Sequence, residues 1–254
     1  MHPVSASPAA TSERLNRNVR LCRSPAREYW FDGRSAVGYR QGMPAARVIS
    51  VNRGREADLL IGGKPGRSAI DKRPTGGPVA VRGLGLDGDE QADKENHGGL
   101  DQALYAYARE DLDWWTERLG RELPDGTFGE NLTTAGIDVS AALIGETWRV
   151  GTALVQVTAP RVPCVTFKSW LDEPGWVKRF ADAGRPGAYL RVLSEGSVQA
   201  GDDLTVVSRP DQPVTVAESM RAFYGDREIM SRLLQVAGRG TKWDAIGADV
   251  LSRA

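Results

Sequence analysis

The stretch 153–164 constrains this chain more than any other. The apolar run Ala153–Val157 reads as a strand, and Ala159–Pro160–Arg161–Val162–Pro163–Cys164 comes directly after it. Each proline fixes φ near about −65° and offers no N–H, so a ladder strand must end about here. Cys164 is thereby placed on a stiff segment leaving a strand. An arginine three residues before a thiol favours the thiolate, the form that attacks substrates and binds soft metals. The same position also reads as a buried structural cysteine, because unbonded cysteine is among the most buried residue types.

Composition narrows the classes. The chain has 254 residues with 33 basic and 33 acidic side chains, so no global field draws in nucleic acid or a membrane surface. Its cysteines are Cys22 and Cys164, and its histidines are His2 and His97. A disulfide framework is excluded, and a zinc site, which needs three or four ligands, is poorly supplied. No apolar run approaches the ~18 residues that span a bilayer, and a cytoplasmic location is expected.

Residues 1–42 are rich in Pro, Ser, Ala and Arg and carry a net charge of +4, leaving −4 for the remainder. They lack the apolar h-region of a secretory signal. Arg14, Arg17, Arg20 and Arg23 would share a helical face, as in a transit peptide. Disorder, or initiation at Met43, fits the composition better.

From Ala46 onward, short apolar segments alternate with glycine turns. Strands are expected at Ala46–Asn52, Pro78–Arg82, Ala103–Tyr107, from Phe128, at Gly145–Val150, Ala153–Val157, Ala188–Leu193 and Leu204–Val207. Two helices interrupt them, Glu110–Arg121 and Pro174–Asp182. Gly62–Asp71 reads as a polar loop whose Lys64, Arg67 and Ser68 suit a phosphate, or simply solvent. Gly83–Gly88 satisfies G-x-G-x-x-G, but Asp87, Asp89 and Glu90 would repel a pyrophosphate, and no crossover helix fits before Ala103. His97–Gly98–Gly99 allows close backbone approach to a ligand. In Phe128–Gly129–Glu130–Asn131, Glu130 could serve as a base and Asn131 could donate to a ligand oxygen, or both could serve a turn. A prolyl break at Ser208–Pro213 precedes three short helices, opened by the capping-box patterns Thr215-x-x-Glu218 and Thr241-x-x-Asp244, with Asp226 as a cap between them. The whole is read as mainly β with helices (α+β), in three parts: 1–42, a barrel-like domain 43–208, and a three-helix unit 209–254.

Four of these stretches together resemble the MOSC (molybdenum cofactor sulfurase C-terminal) domain, in its bacterial YiiM-like branch. They are Gly85–Asp93, His97–Asp101, Phe128–Leu132 and Pro160–Cys164, in family order, and the C-terminal helices match that branch's appendage. The resemblance implies a β-barrel-like fold that binds the molybdenum cofactor, with Cys164 as the protein ligand to molybdenum and the catalytic residue. The cofactor's dithiolene already brings two sulfurs, so one soft thiolate completes the set. The resemblance further implies Arg67 and Ser68 at the cofactor phosphate, with His97, Asn131 and Arg161 around the pterin and metal. The spacing of Lys64–Ser68 is looser than in the family.

The implied activity is an oxidoreductase that reduces small N-hydroxylated compounds, such as hydroxylaminopurine-type bases, and so detoxifies them. Electrons would come from an external flavin or iron–sulfur protein, docking on the C-terminal helices. Pyridoxal phosphate is not expected, since no domain for it fits in the chain. A homodimer is compatible with the sequence. The rival is a carrier of the cofactor or of sulfur as a Cys164 persulfide, and a blander one is a vestigial barrel binding a phosphorylated ligand.

Overall fold

The structure, a computed structural model, describes residues 45–92 and 98–253. The expectations for residues 1–42 and for His97 lie outside those residues. Strands β1 (Arg47–Arg53), β2 (Ala57–Ile61), β3 (Lys64–Ser68), β4 (Arg73–Pro74), β5 (Val79–Arg82) and β6 (Gly85–Leu86) precede β7 (Leu104–Ala108). Helix α1 (Arg109–Leu119) leads to β8 (Leu132–Ala135), β9 (Thr147–Val150) and β10 (Ala153–Pro160). Helices α2 (Val165–Leu171) and α3 (Trp176–Ala183) come next, then β11 (Ala188–Ser194), β12 (Gly196–Val198) and β13 (Leu204–Ser208). The chain closes with α4 (Val216–Phe223), α5 (Arg227–Leu233) and α6 (Lys242–Ser252).

The main sheet has the order β13-β9-β10-β11-β7-β8-β1-β4. Its pairs are antiparallel except β7–β8, which α1 connects as a parallel crossover. The sheet curls, so that β1 meets the lead-in to β13. Val48 N donates to Asp202 O at 2.9 Å, Gly201 N to Val48 O at 2.8 Å, and Leu204 N to Ala46 O at 2.8 Å. The barrel-like expectation therefore describes a strongly curved α+β sheet.

Period-two alternation lets one strand serve two cores. On β7, Leu104, Ala106 and Ala108 enter a core of aliphatic residues from β1, β9, β10 and β11. Tyr105 and Tyr107 enter the opposite one, an aromatic cluster with Trp115, Phe128, Phe167, Trp176 and Phe180. Strand β11 divides in the same way, Leu190 to the first and Tyr189 to the second. The aromatic rings meet edge-on or tilted, as at Phe167–Trp176, 5.3 Å and 87°, the geometry their quadrupoles favour. Helices α2 and α3 cover this face.

Three local expectations need correction. Residues 57–68 form a hairpin, β2–β3, rather than leaving Gly62–Asp71 a loop; Gly62 and Gly63, at φ 59° and 81°, make the tight turn its register requires. Helix α2 is an addition to the expected elements, because Val-Thr-Phe has low helical propensity and packing alone selects it. Thr241 makes no side-chain cap to α6, its hydroxyl being drawn to Asp101. The Thr215–Glu218 capping box forms as expected.

The C-terminal helices are part of the first core. Ala222, Ile229, Met230, Leu233, Trp243 and Val250 are buried in one cluster with Val48, Trp148 and Val155 of the sheet. Met230 is fully buried. Met230→Ala should therefore cost ~2–5 kcal/mol, and sheet and helices should unfold in one denaturant transition. Two separated transitions would show that the helices form an independent unit.

Candidate active site

Pro160 pairs with Ala188 as the last ladder residue of β10. Arg161, Val162 and Pro163 then carry the chain to Cys164, which is half-buried at the edge of the aromatic cluster and occupies the position before the first turn of α2. Its carbonyl accepts from Lys168 N at 3.0 Å, starting that helix. The proline-bracketed segment thus delivers the sulfur to the seam between strand and helix.

Arg161 points into the protein and is 7% exposed. Its guanidinium lies over Phe167, 4.3 Å from the ring centre, and Tyr105, at 5.1 Å. It donates to Tyr189 Oη at 3.3 Å, while its Nε has no hydrogen-bond partner. Among the described residues no carboxylate pairs with it. Burial disfavours its charged form, and its pKa is raised only by the negative charge that Tyr189, Tyr105, Cys164 and Glu130 carry once they ionise. Burial raises the pKa of both tyrosines, so at neutral pH they carry no charge. Among the described residues, a buried cation beside a thiol is left without a matching carboxylate.

A second cation stands close by. Lys72 is 8% exposed, and its Nζ lies 2.6 Å from Asp89 Oδ2. Burial lowers its pKa against the attraction of Asp89, and Arg161 lowers it further, so the two cations feel each other. Asp89 also accepts from Gly54 N and Asn131 Nδ2, both at 2.8 Å. Asn131 in turn accepts from Tyr105 N at 3.1 Å and donates its other hydrogen to Asn52 O at 3.3 Å. Its amide is therefore fully engaged within the protein, and its visible task is to hold Asp89 and Lys72. Lys72 and Asp89 belong to this cluster but are not singled out in the sequence; Asp89 lies within the Gly85–Asp93 stretch that carries the resemblance, and Lys72 has no comparable signal.

The Phe128–Asn131 stretch has a mechanical reason. The Gly126 turn lies against the segment carrying Lys72, and a Cβ there would sit 2.3 Å from Lys72 O. Gly126 and Gly129 have φ of 89° and 75°, which only glycine adopts at low cost. Glu130, fully buried, closes this turn by accepting from Phe128 N at 2.9 Å and Thr133 Oγ1 at 3.0 Å, and from Gly126 N. It is a turn-holding group, not one aimed at solvent.

Arg67 and Ser68 stand apart from this cluster. Arg67 is exposed on β3 and pairs with Glu56 at 3.3 Å, and Ser68 Oγ accepts from Ile70 N at 3.2 Å. The other end of their hairpin meets α2, where Gly62 N donates to Ser169 Oγ at 2.9 Å.

Burial pushes the Glu130 carboxyl up to about 7 against the hydrogen bonds that lower it. A raised carboxyl pKa means that the native state keeps a proton the unfolded chain has lost. Between about pH 4.5 and 7 this group therefore makes stability fall as pH rises. Glu130→Gln should flatten that slope in denaturant titrations at successive pH values. An unchanged slope would assign the proton elsewhere.

The MOSC domain family model matches residues 93–205. Protein YiiM of Escherichia coli (strain K12) is 37% identical over 191 residues, 71% of this chain and 82% of that one. A protein named Reductase from Gibberella moniliformis is 33% identical over 168 residues, 64% of this chain but 29% of its own length. The crystal structure of YiiM from Geobacillus stearothermophilus superposes with a TM-score of 0.69 at 30% identity, covering 82% of this chain and all of that one. With the strand-end cysteine and the C-terminal helices both in place, the chain belongs to the MOSC-domain family and is YiiM-like.

Proposed function

We propose that this protein binds the molybdenum cofactor through Cys164 and reduces small N-hydroxylated compounds, hydroxylaminopurine-type bases among them. The observation that carries the reading is Arg161, a buried cation with an orphaned Nε and, among the described residues, no carboxylate partner, set beside the thiol. Such a charge is costly unless an anion joins it. Among the described residues no three His, Cys, Asp or Glu side chains converge, so a metal here must bring most of its ligands. An anionic chelate of a soft metal meets both conditions.

The residues divide the work accordingly. Cys164 gives a thiolate from a stiff segment, and Arg161, fixed by Phe167, Tyr105 and Tyr189, offers its remaining donors to an anion without reorganising. Lys72 adds a second positive charge, held in place by Asp89 and Asn131. Arg67 and Ser68 are proposed for the cofactor phosphate, Arg67 trading Glu56 for it, and His97 for the surroundings of the pterin and metal. When bound, the cofactor supplies the two-electron chemistry. The overall change is R–NHOH plus two electrons and two protons, giving R–NH2 and water. The electrons come from a separate flavin or iron–sulfur protein. MOSC membership and the reductase-named relative support an oxidoreductase.

The test is to purify the protein from cells that make the cofactor, assay molybdenum and pterin, and follow hydroxylaminopurine reduction with an artificial donor. Wild type should hold molybdenum and turn over, and Cys164→Ala should lose both. Arg161→Gln should lower molybdenum retention by about 10–100-fold. Molybdenum bound without turnover on any N-hydroxylated substrate would favour a carrier, and wild type without molybdenum would refute the reading.

A further inference from the structure

The strand that delivers Cys164 is interrupted at Thr158. On β10, Val157 faces Leu190 and Ala159 faces Tyr189, leaving Thr158 as an extra residue. Such a bulge frees ladder groups, bends the strand and re-aims the residues beyond it. Thr158 is fully buried, so its freed carbonyl needs donors from elsewhere.

They come from the C-terminal helices. Trp243 Nε1 donates to Thr158 O at 3.0 Å, and Gly240 N donates to the same oxygen at 3.1 Å. The Thr158 hydroxyl bonds to Tyr189 O at 3.0 Å and to Asp101 O at 2.5 Å. The Asp101 carboxylate returns to the same helical turn, accepting from Thr241 N at 2.6 Å and Thr241 Oγ1 at 2.8 Å. Its second oxygen lies 2.6 Å from Arg191. Tyr189, gripped by its main chain at the bulge, is the residue whose hydroxyl accepts from Arg161.

We propose that Trp243, presented by the first turn of α6, is a positioning residue for Cys164. It fixes the Thr158 bulge, and the bulge sets the direction in which β10 delivers Arg161 and Cys164. The C-terminal helices are thereby a working part of the site's scaffold. The inference rests on the reading of Cys164 as the functional residue, but its test needs neither molybdenum nor turnover.

The experiment uses the full-length metal-free protein. Trp243→Phe keeps an apolar ring and removes the Nε1–H, and Thr158→Val removes the hydroxyl. Ile229→Val, in the same helical unit but away from the bulge, is the control. Two quantities are read at matched folded fraction: hydrogen exchange at the Gly240 amide, and iodoacetamide alkylation of Cys164, resolved from Cys22 by peptide mass. Trp243→Phe should speed Gly240 exchange about fivefold, the equivalent of one buried hydrogen bond, and change the Cys164 rate by about as much. Thr158→Val should change the Cys164 rate likewise, and Ile229→Val should leave both readings at wild-type values. Faster Gly240 exchange with an unaltered Cys164 rate would overturn the proposal, as would no change in either.

Discussion

A guanidinium enclosed by aromatic rings, with no carboxylate among the described residues to answer it, is the interaction on which the rest of this site turns. Arg161 gains cation–π attraction from Phe167 and Tyr105 and a single hydrogen bond from Tyr189. Each of those contacts is worth roughly 1–3 kcal/mol, and together they do little more than offset the several kcal/mol that removing an ion from water costs. Nearby Lys72, already tied to Asp89, adds repulsion rather than relief. Such an arrangement is poor engineering for stability and good preparation for an anionic ligand, whose charge it meets without reorganisation.

The fold supports this by dividing two strands between two cores. Strands β7 and β11 send aliphatic residues to one side and tyrosines to the other, so the aromatic enclosure of Arg161 is continuous with the molecule's main packing. Beneath it the polar groups are satisfied in sequence. Ser50 bonds to Asn52, Asn52 to Thr133, and Thr133 to Glu130, while Asn131 joins Tyr105 to Asp89. A fully satisfied network of this kind is rigid. The Cys164 sulfur sits at its edge, where β10 stops and α2 begins.

The parts of this site that are legible in the amino-acid sequence obey physical rules of short range. Two prolines flanking Arg161–Val162, just before Cys164, announce where a strand ends, and Thr215-x-x-Glu218 announces a helix start, because both effects act within a few residues. Lys72 is invisible for the opposite reason. A lysine is ordinarily solvated, and only the approach of the Gly126 turn and of Asp89 from distant sequence buries it. Asn131 illustrates a subtler limit. Its place near the site can be read from its motif, but only the folded structure shows both ends of its amide consumed by the protein. Thr241 has the pattern of a cap, and a stronger acceptor across the molecule, Asp101, outcompetes the helix for its hydroxyl.

That Arg161 is kept for a ligand rather than for the fold is tested most directly by denaturant unfolding of metal-free Arg161→Met at neutral pH. Methionine fills similar space and removes the buried charge. The variant should be no less stable than the wild-type protein, since lost ring contacts are offset by the vanished desolvation cost. A loss of about 3 kcal/mol or more, the cost of breaking a needed buried contact, would contradict this and make the caged arginine a structural element of the aromatic core.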